Sequence, residues 1–289
     1  MGDQTGCTIP LRVFTTLIPD FPKEYFDDLR YYLEQKLSCK IDTISEEERW
    51  RGSEVTQKSS PFDNDEADFG FISAADYIRT KLHAKNKNFE LLPVGALHRH
   101  PNAHGKPIYF SDVVLRVADK DRLKEFRNAR GTAWAYSTSD SLSGSLYPRH
   151  HFRKEGENVS FFGDTREAGS HNAAIEMVRD GRAEGATVNS AVAFMYFQRN
   201  PQARNDIFIK LTLPGSLPIY PIVVDKKLSA ETKQKLKDAF LSIAQDTKMK
   251  TKLDRYGVDG FAPTYEEMYN LEQDIVNDLK KAALNVPFY

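Results

Sequence analysis

The chain has 289 residues, long for a single core and suited to two units that each bury an apolar centre. Its 40 Lys and Arg nearly cancel its 41 Asp and Glu, and no long run of one sign occurs, which argues against a nucleic-acid or anionic-membrane footprint. Cys7 and Cys39 are the only cysteines and have no metal-type spacing, so thiols are expected rather than a disulfide framework, and no stretch approaches the roughly twenty apolar residues of a membrane span.

In chain order, residues 11–15 read as a strand, and residues 22–37 as a helix whose Phe26, Leu29, Tyr32, Leu33 and Leu37 give an apolar face. Residues 40–44 form a second strand, and the acidic, polar segment 45–66 is read as a surface connection with room for a short helix. A buried strand at 68–72, a helix at 74–82 and a strand at 89–97 follow. Residues 108–117 form a long β-prone run, 121–127 an amphipathic helix, and 131–136 a strand. Strands at 207–213 and 219–224 flank a break at Pro214–Pro218, and helices are expected at 230–244, 248–256 and 265–283. Alternation at this rate predicts α/β layers with a mainly parallel sheet.

Between these elements lie two hydroxyl-rich segments. Ser137–Pro148 and Ala168–Ala174 each end a strand and open a helix, so two helix N-termini are expected to face one point. Unsatisfied N–H groups and the positive end of the helix dipole favour an anion there, and Ser141, Ser143, Ser170 and His171 would add side-chain donors. A small oxyanion is the ligand this pattern suggests; taken singly, either segment would read as an ordinary N-cap.

The order and spacing of these residues resemble the phosphonate-binding type of periplasmic solute receptor, the substrate-binding component of phosphate and phosphonate ABC transporters. The matching segments are Ser141-Leu-Ser-Gly144 with Leu146 and Pro148, Gly169-Ser-His171 and Ala186-Thr-Val-Asn189. Weaker likeness lies at Ala67–Phe71, Tyr109–Ser111 and Pro221–Val224. The resemblance implies an α/β, two-lobed fold of the type 2 periplasmic-binding-protein kind, with a ligand cleft between lobes joined by two hinge crossings. Lobe 1 would comprise residues 1–110 and 215–289, and lobe 2 residues 111–214. It implies a binding protein without catalysis or cofactor, a monomer that takes a phosphate-, phosphonate- or phosphite-like anion by hinge closure. Its partners would be the ligand and, if the chain is exported, an ABC permease. Met1–Cys7 lacks the basic and apolar regions of a signal peptide and Gly6 breaks a myristoylation motif, leaving either a trimmed exported chain or a soluble cytoplasmic relative.

Ligand contacts are expected from Ser141, Leu142, Ser143, Ser170, His171 and Asn189, with Tyr109, Phe71 and Tyr220 as walls and Trp134 in the core. Leu142 replaces a Thr of the better-known receptors, and Ala191 and Tyr220 stand where aminoalkyl-phosphonate receptors place carboxylates. A buried ammonium would lack counter-charges, so an oxyanion that is small or carries an apolar tail is expected instead. His98, His100 and His104, or His150 and His151, lack a completing set of metal ligands, and residues 63–68 lack the Gly and Glu of a calcium loop. Asp140, His171 and Ser141 or Ser143 could mimic a hydrolytic triad but lack a Gly-x-Ser-x-Gly elbow. Two alternatives remain: an enzyme on the same fold, like the pyrimidine synthases of thiamine biosynthesis, and an intracellular ligand sensor.

Overall fold

The computed structural model describes residues 9–45, 61–77, 88–157, 161–271, 274, 275, 277 and 279. They form two compact units. Unit 1 is drawn from residues up to Leu97, from Gly105–Pro107 and from Ile219–Met268; unit 2 from His98–His104, Ile108–Pro218 and the residues from Tyr269 on. Residues 98–104, 108–110, 215–218 and the described residues from Tyr269 on, expected with the first lobe, cluster with the second unit.

Unit 1 is built on a five-stranded sheet. Strands β1 (Leu11–Thr15), β2 (Ile41–Ser45) and β3 (Phe69–Phe71) are mutually parallel, with β1 in the middle, and β13 (Ile222–Asp225) inserts antiparallel between β3 and β4 (Phe89–Leu92). Helix α1 (Lys23–Leu37) buries Tyr25, Phe26, Leu29, Tyr32 and Leu33, the i, i+3, i+4 spacing that puts side chains on one face. It ends where Ser38 adopts a left-handed conformation at φ 51°. The interior is aromatic: Phe71 contacts Phe26 at 5.3 Å and Phe240 at 6.0 Å between ring centroids, and each buried ring contributes roughly 1.5–3 kcal/mol. Phe240 comes from α5 (Ala230–Ser242), which is followed by α6 (Thr247–Asp254) and β14 (Val258–Pro263).

Unit 2 has its own five-stranded sheet, ordered β11 (Ile207–Thr212), β7 (Ser111–Arg116), β10 (Gly185–Asn189), β8 (Ala133–Tyr136), β9 (Asp164–Glu167). The β10, β8 and β9 trio is parallel, while β7 runs antiparallel to both β10 and β11. Helices α2 (Tyr147–Lys154), α3 (His171–Arg179) and α4 (Ser190–Arg199) follow β8, β9 and β10. Ile175, Val178, Ala186, Val188 and Phe197 belong to the apolar core beneath them, and Trp134 is buried as expected.

Several expectations are corrected. Each sheet joins two parallel and two antiparallel pairs, so neither is mainly parallel. The run 89–97 splits at Pro93, which has no N–H to give a ladder, into β4 and β5 (Val94–His98), and β5 pairs with β14 in a separate ribbon. The run 108–117 likewise breaks at Phe110 into β6 (Ile108–Tyr109) and β7, with β6 pairing with β12 (Leu217–Pro218). Residues 121–127 form turns and the start of a single-turn 3-10 helix rather than an amphipathic helix. Cys7, most of segment 45–66 and parts of the helices expected at 74–82 and 265–283 lie outside the described residues, and the latter opens as a 3-10 turn at Glu266–Tyr269.

Candidate functional site

The site in unit 2 begins where the three parallel strands end. The β8–β9 ladder continues past the strands: Ala168 N–H donates to Tyr136 O (2.9 Å) and Gly169 N–H to Ser137 O (2.7 Å). Gly169 sits at φ +85°, a conformation glycine adopts without strain, and the turn there starts α3 beside the chain leaving β8. Parallel strands that each feed a helix bring helix starts together at the carboxyl edge of the sheet, the region where α/β sheets bind ligands.

Ser141 opens the next element by two separate means. Its Oγ accepts from Gly144 N–H (3.1 Å), and its carbonyl accepts from both Ser145 (3.0 Å) and Leu146 (2.9 Å). The Leu146 bond spans five residues, so Leu142–Leu146 form a π turn that leads directly into α2. Two strand side chains hold this turn onto the sheet: Ser111 Oγ donates to Ser143 O (2.6 Å), and Thr187 Oγ1 donates to Gly144 O (2.7 Å). The turn's carbonyls are therefore engaged below, while the N–H groups of Leu142 and Ser143 occupy positions that have no acceptor within a helical turn.

His171, the first residue of α3, joins the pieces. Its Nε2 lies 3.3 Å from Ser141 Oγ and 3.4 Å from Ser137 Oγ, and its Nδ1 accepts from Asn189 N–H (3.3 Å) at the end of β10. A Cβ on Gly144 would lie 2.6 Å from Ser137 Oγ, 3.0 Å from Ser141 Oγ and 3.2 Å from His171 Cε1, so any larger residue would require these side chains to shift. Ser143 is 1% exposed, and its Oγ has no hydrogen-bond partner among the described residues. A buried hydroxyl in that condition costs about 1–3 kcal/mol, a cost a ligand oxygen would remove.

The other sequence candidates have different surroundings. Ser170 caps α3 through Ala173 N–H (3.1 Å), and Asn189 caps α4 through Ala191 N–H (2.9 Å). The start of α4 is further tied to Phe110, whose N–H donates to Ser190 Oγ and whose carbonyl accepts from Ser190 N–H, both at 3.0 Å. The Leu142 side chain is buried, and Tyr109 lies buried on β6. In unit 1, Phe71 is in the aromatic interior and the Tyr220 hydroxyl meets that of Tyr25 at 2.7 Å, where burial pushes the Tyr25 phenol up. Sequence reasoning missed Ser137, Gly144, Ser111 and Thr187 as site residues. Each stands within or beside a quoted motif, but its role depends on a contact 30 or more residues away or on a side chain approaching a glycine.

The triad-like reading fails on geometry. Asp140 accepts from Thr138 Oγ1 (2.7 Å), and the imidazole nitrogen that a catalytic carboxylate would orient instead receives a backbone N–H. His100 accepts from Asn102 N–H (3.2 Å), stacks on Phe110 at 4.3 Å, and places Nε2 by Thr212 Oγ1 (3.2 Å) and Asp112 Oδ1 (3.5 Å).

Two α/β units, one carrying helix starts, hydroxyls and an imidazole at the carboxyl edge of its sheet, have the fold of the type 2 periplasmic binding proteins. Residues 53–269 match the family model of the ABC transporter phosphonate periplasmic substrate-binding protein. The chain belongs to this family. Its fold is similar to that of PhnD1 from Prochlorococcus marinus, solved in complex with methylphosphonate, with TM-score 0.70, 16% identity and coverage of 94% of this chain and 98% of that one. It is also similar to a binding-protein component of an ABC phosphonate transporter from Pseudomonas aeruginosa (TM-score 0.74, 18% identity, 97% and 90% covered). A Xanthomonas citri protein solved with chloride shares the fold as well (TM-score 0.63, 14% identity, 96% and 99% covered).

Proposed function

We propose that this chain is a non-catalytic receptor for a small phosphonate-, phosphate- or phosphite-like oxyanion, delivering it to an ABC permease. The observation that carries the reading is the buried, unpartnered Ser143 hydroxyl in a turn whose neighbouring groups, Ser137, Ser141 and Gly144, converge on His171. Helix starts supply favourable electrostatics for an anion without a metal. Family membership supports binding rather than chemistry. The histidine geometry agrees, because a nitrogen that already holds a proton toward serine does not take one from it.

Selectivity within the class is expected from Ala191, which is buried at the capped start of α4 and brings no charge. An alkyl tail loses little in such surroundings, whereas a buried ammonium needs a counter-ion. Calorimetric titration with methylphosphonate, inorganic phosphate and 2-aminoethylphosphonate at one pH and ionic strength tests this. The expected order places 2-aminoethylphosphonate weakest. Tenfold tighter binding of the amine, about 1.4 kcal/mol in its favour, would overturn the selectivity, and no binding of any of the three would overturn the receptor reading.

A further inference from the structure

The hydrogen bonds around His171 fix more than its position. Asn189 N–H can only donate, so Nδ1 accepts and a neutral imidazole carries its proton on Nε2. That proton faces Ser141 Oγ at 3.3 Å and Ser137 Oγ at 3.4 Å. Ser141 Oγ already accepts from Gly144 N–H. Shared between the two serines, that proton and the Gly144 N–H together engage both lone pairs of the Ser141 oxygen, which turns the Ser141 hydroxyl toward donating.

Resting on the receptor reading above, we propose that His171 is a positioning residue that polarises the site. Held as the Nε2–H tautomer by the Asn189 amide, it shares its proton between the Ser141 and Ser137 oxygens and turns the Ser141 hydroxyl to donate to the bound oxyanion. A ligand acceptor then meets a donor whose orientation is set before it arrives, and a ligand O–H offered to Ser141 finds no lone pair. His171 therefore affects affinity through Ser141 and favours an oxyanion oxygen without a proton at this point.

Two measurements test the proposal, with methylphosphonate and inorganic phosphate as probes. Nitrogen-15 spectra of the unmutated protein should show His171 with Nδ1 unprotonated and Nε2 protonated, with and without methylphosphonate. A Nδ1–H tautomer or an imidazolium under binding conditions would overturn it. Calorimetry on the parent, Ser141→Ala, His171→Leu and the double variant, each checked for an intact melting transition, gives the coupling. His171→Leu should weaken binding about tenfold in the parent and less than twofold when Ser141 is already Ala. Equal losses in both backgrounds would show that His171 acts independently of Ser141 and would overturn the proposal. If a variant does not fold, the spectrum of the unmutated protein still decides. If neither probe binds the parent, the receptor reading fails, while the tautomer remains separately measurable.

Discussion

Gly144 shows how closely the site depends on single atoms. Its missing side chain leaves the space into which Ser137, Ser141 and His171 converge, and the nearest of these would sit 2.6 Å from a Cβ. Gly144→Ala should destabilise the fold by about 1–3 kcal/mol, the usual cost of overpacking. Because the atoms that must yield are the site's own, methylphosphonate affinity should fall with stability. Urea unfolding and calorimetry of the variant check this, and parent-like values in both would show that the three side chains are not in contact as described.

At the scale of elements, the parts legible in the sequence are those set by local chemistry. Ser141, Ser170 and Asn189 act as N-caps because a short polar side chain can reach the N–H groups just ahead of it, which sequence order alone reveals. The π turn at Leu142–Leu146 was hidden because Ser111 and Thr187, from two other strands, hold its carbonyls. Strand β9 was legible only by its end, from the segment that opens at Ala168: all four residues of Asp164–Glu167 are exposed, so no buried alternation marks its span and only pairing with β8 makes it a strand. Phe71 shows the reverse limit. Its position at the end of β3 was legible, but whether its ring lines a surface or fills a core depends on Phe26 and Phe240, far away in sequence.

For the whole molecule, the family rests on the match over residues 53–269 and the fold on likeness to structures at 16–18% identity, while buried titratable groups make stability depend on pH. One is His98, buried on β5, where burial lowers its pKa to about 3 from the usual 6.5. Below pH 6.5 the unfolded chain binds a proton that the folded chain refuses. The contribution is therefore full above 6.5 and is lost as pH falls toward 3. The urea midpoint should decline between pH 7 and pH 5, and His98→Asn should flatten the decline. A midpoint level across that window, or a decline unchanged in the variant, would contradict this. Asp119, held low by Arg116 and Arg122 against its desolvation, adds its own loss only below the usual carboxylate range.

A Ser143 hydroxyl buried to meet a ligand acts with opposite signs on stability and on binding. Without ligand, removing a buried hydroxyl that has no partner relieves a cost; with ligand, it removes a donor. The direct measurement is the melting temperature of the parent and Ser143→Ala, each with and without saturating methylphosphonate. The unliganded variant should melt no lower than the parent and gain markedly less from the ligand. A variant that melts lower without ligand yet keeps the parent's full ligand-induced rise would contradict this.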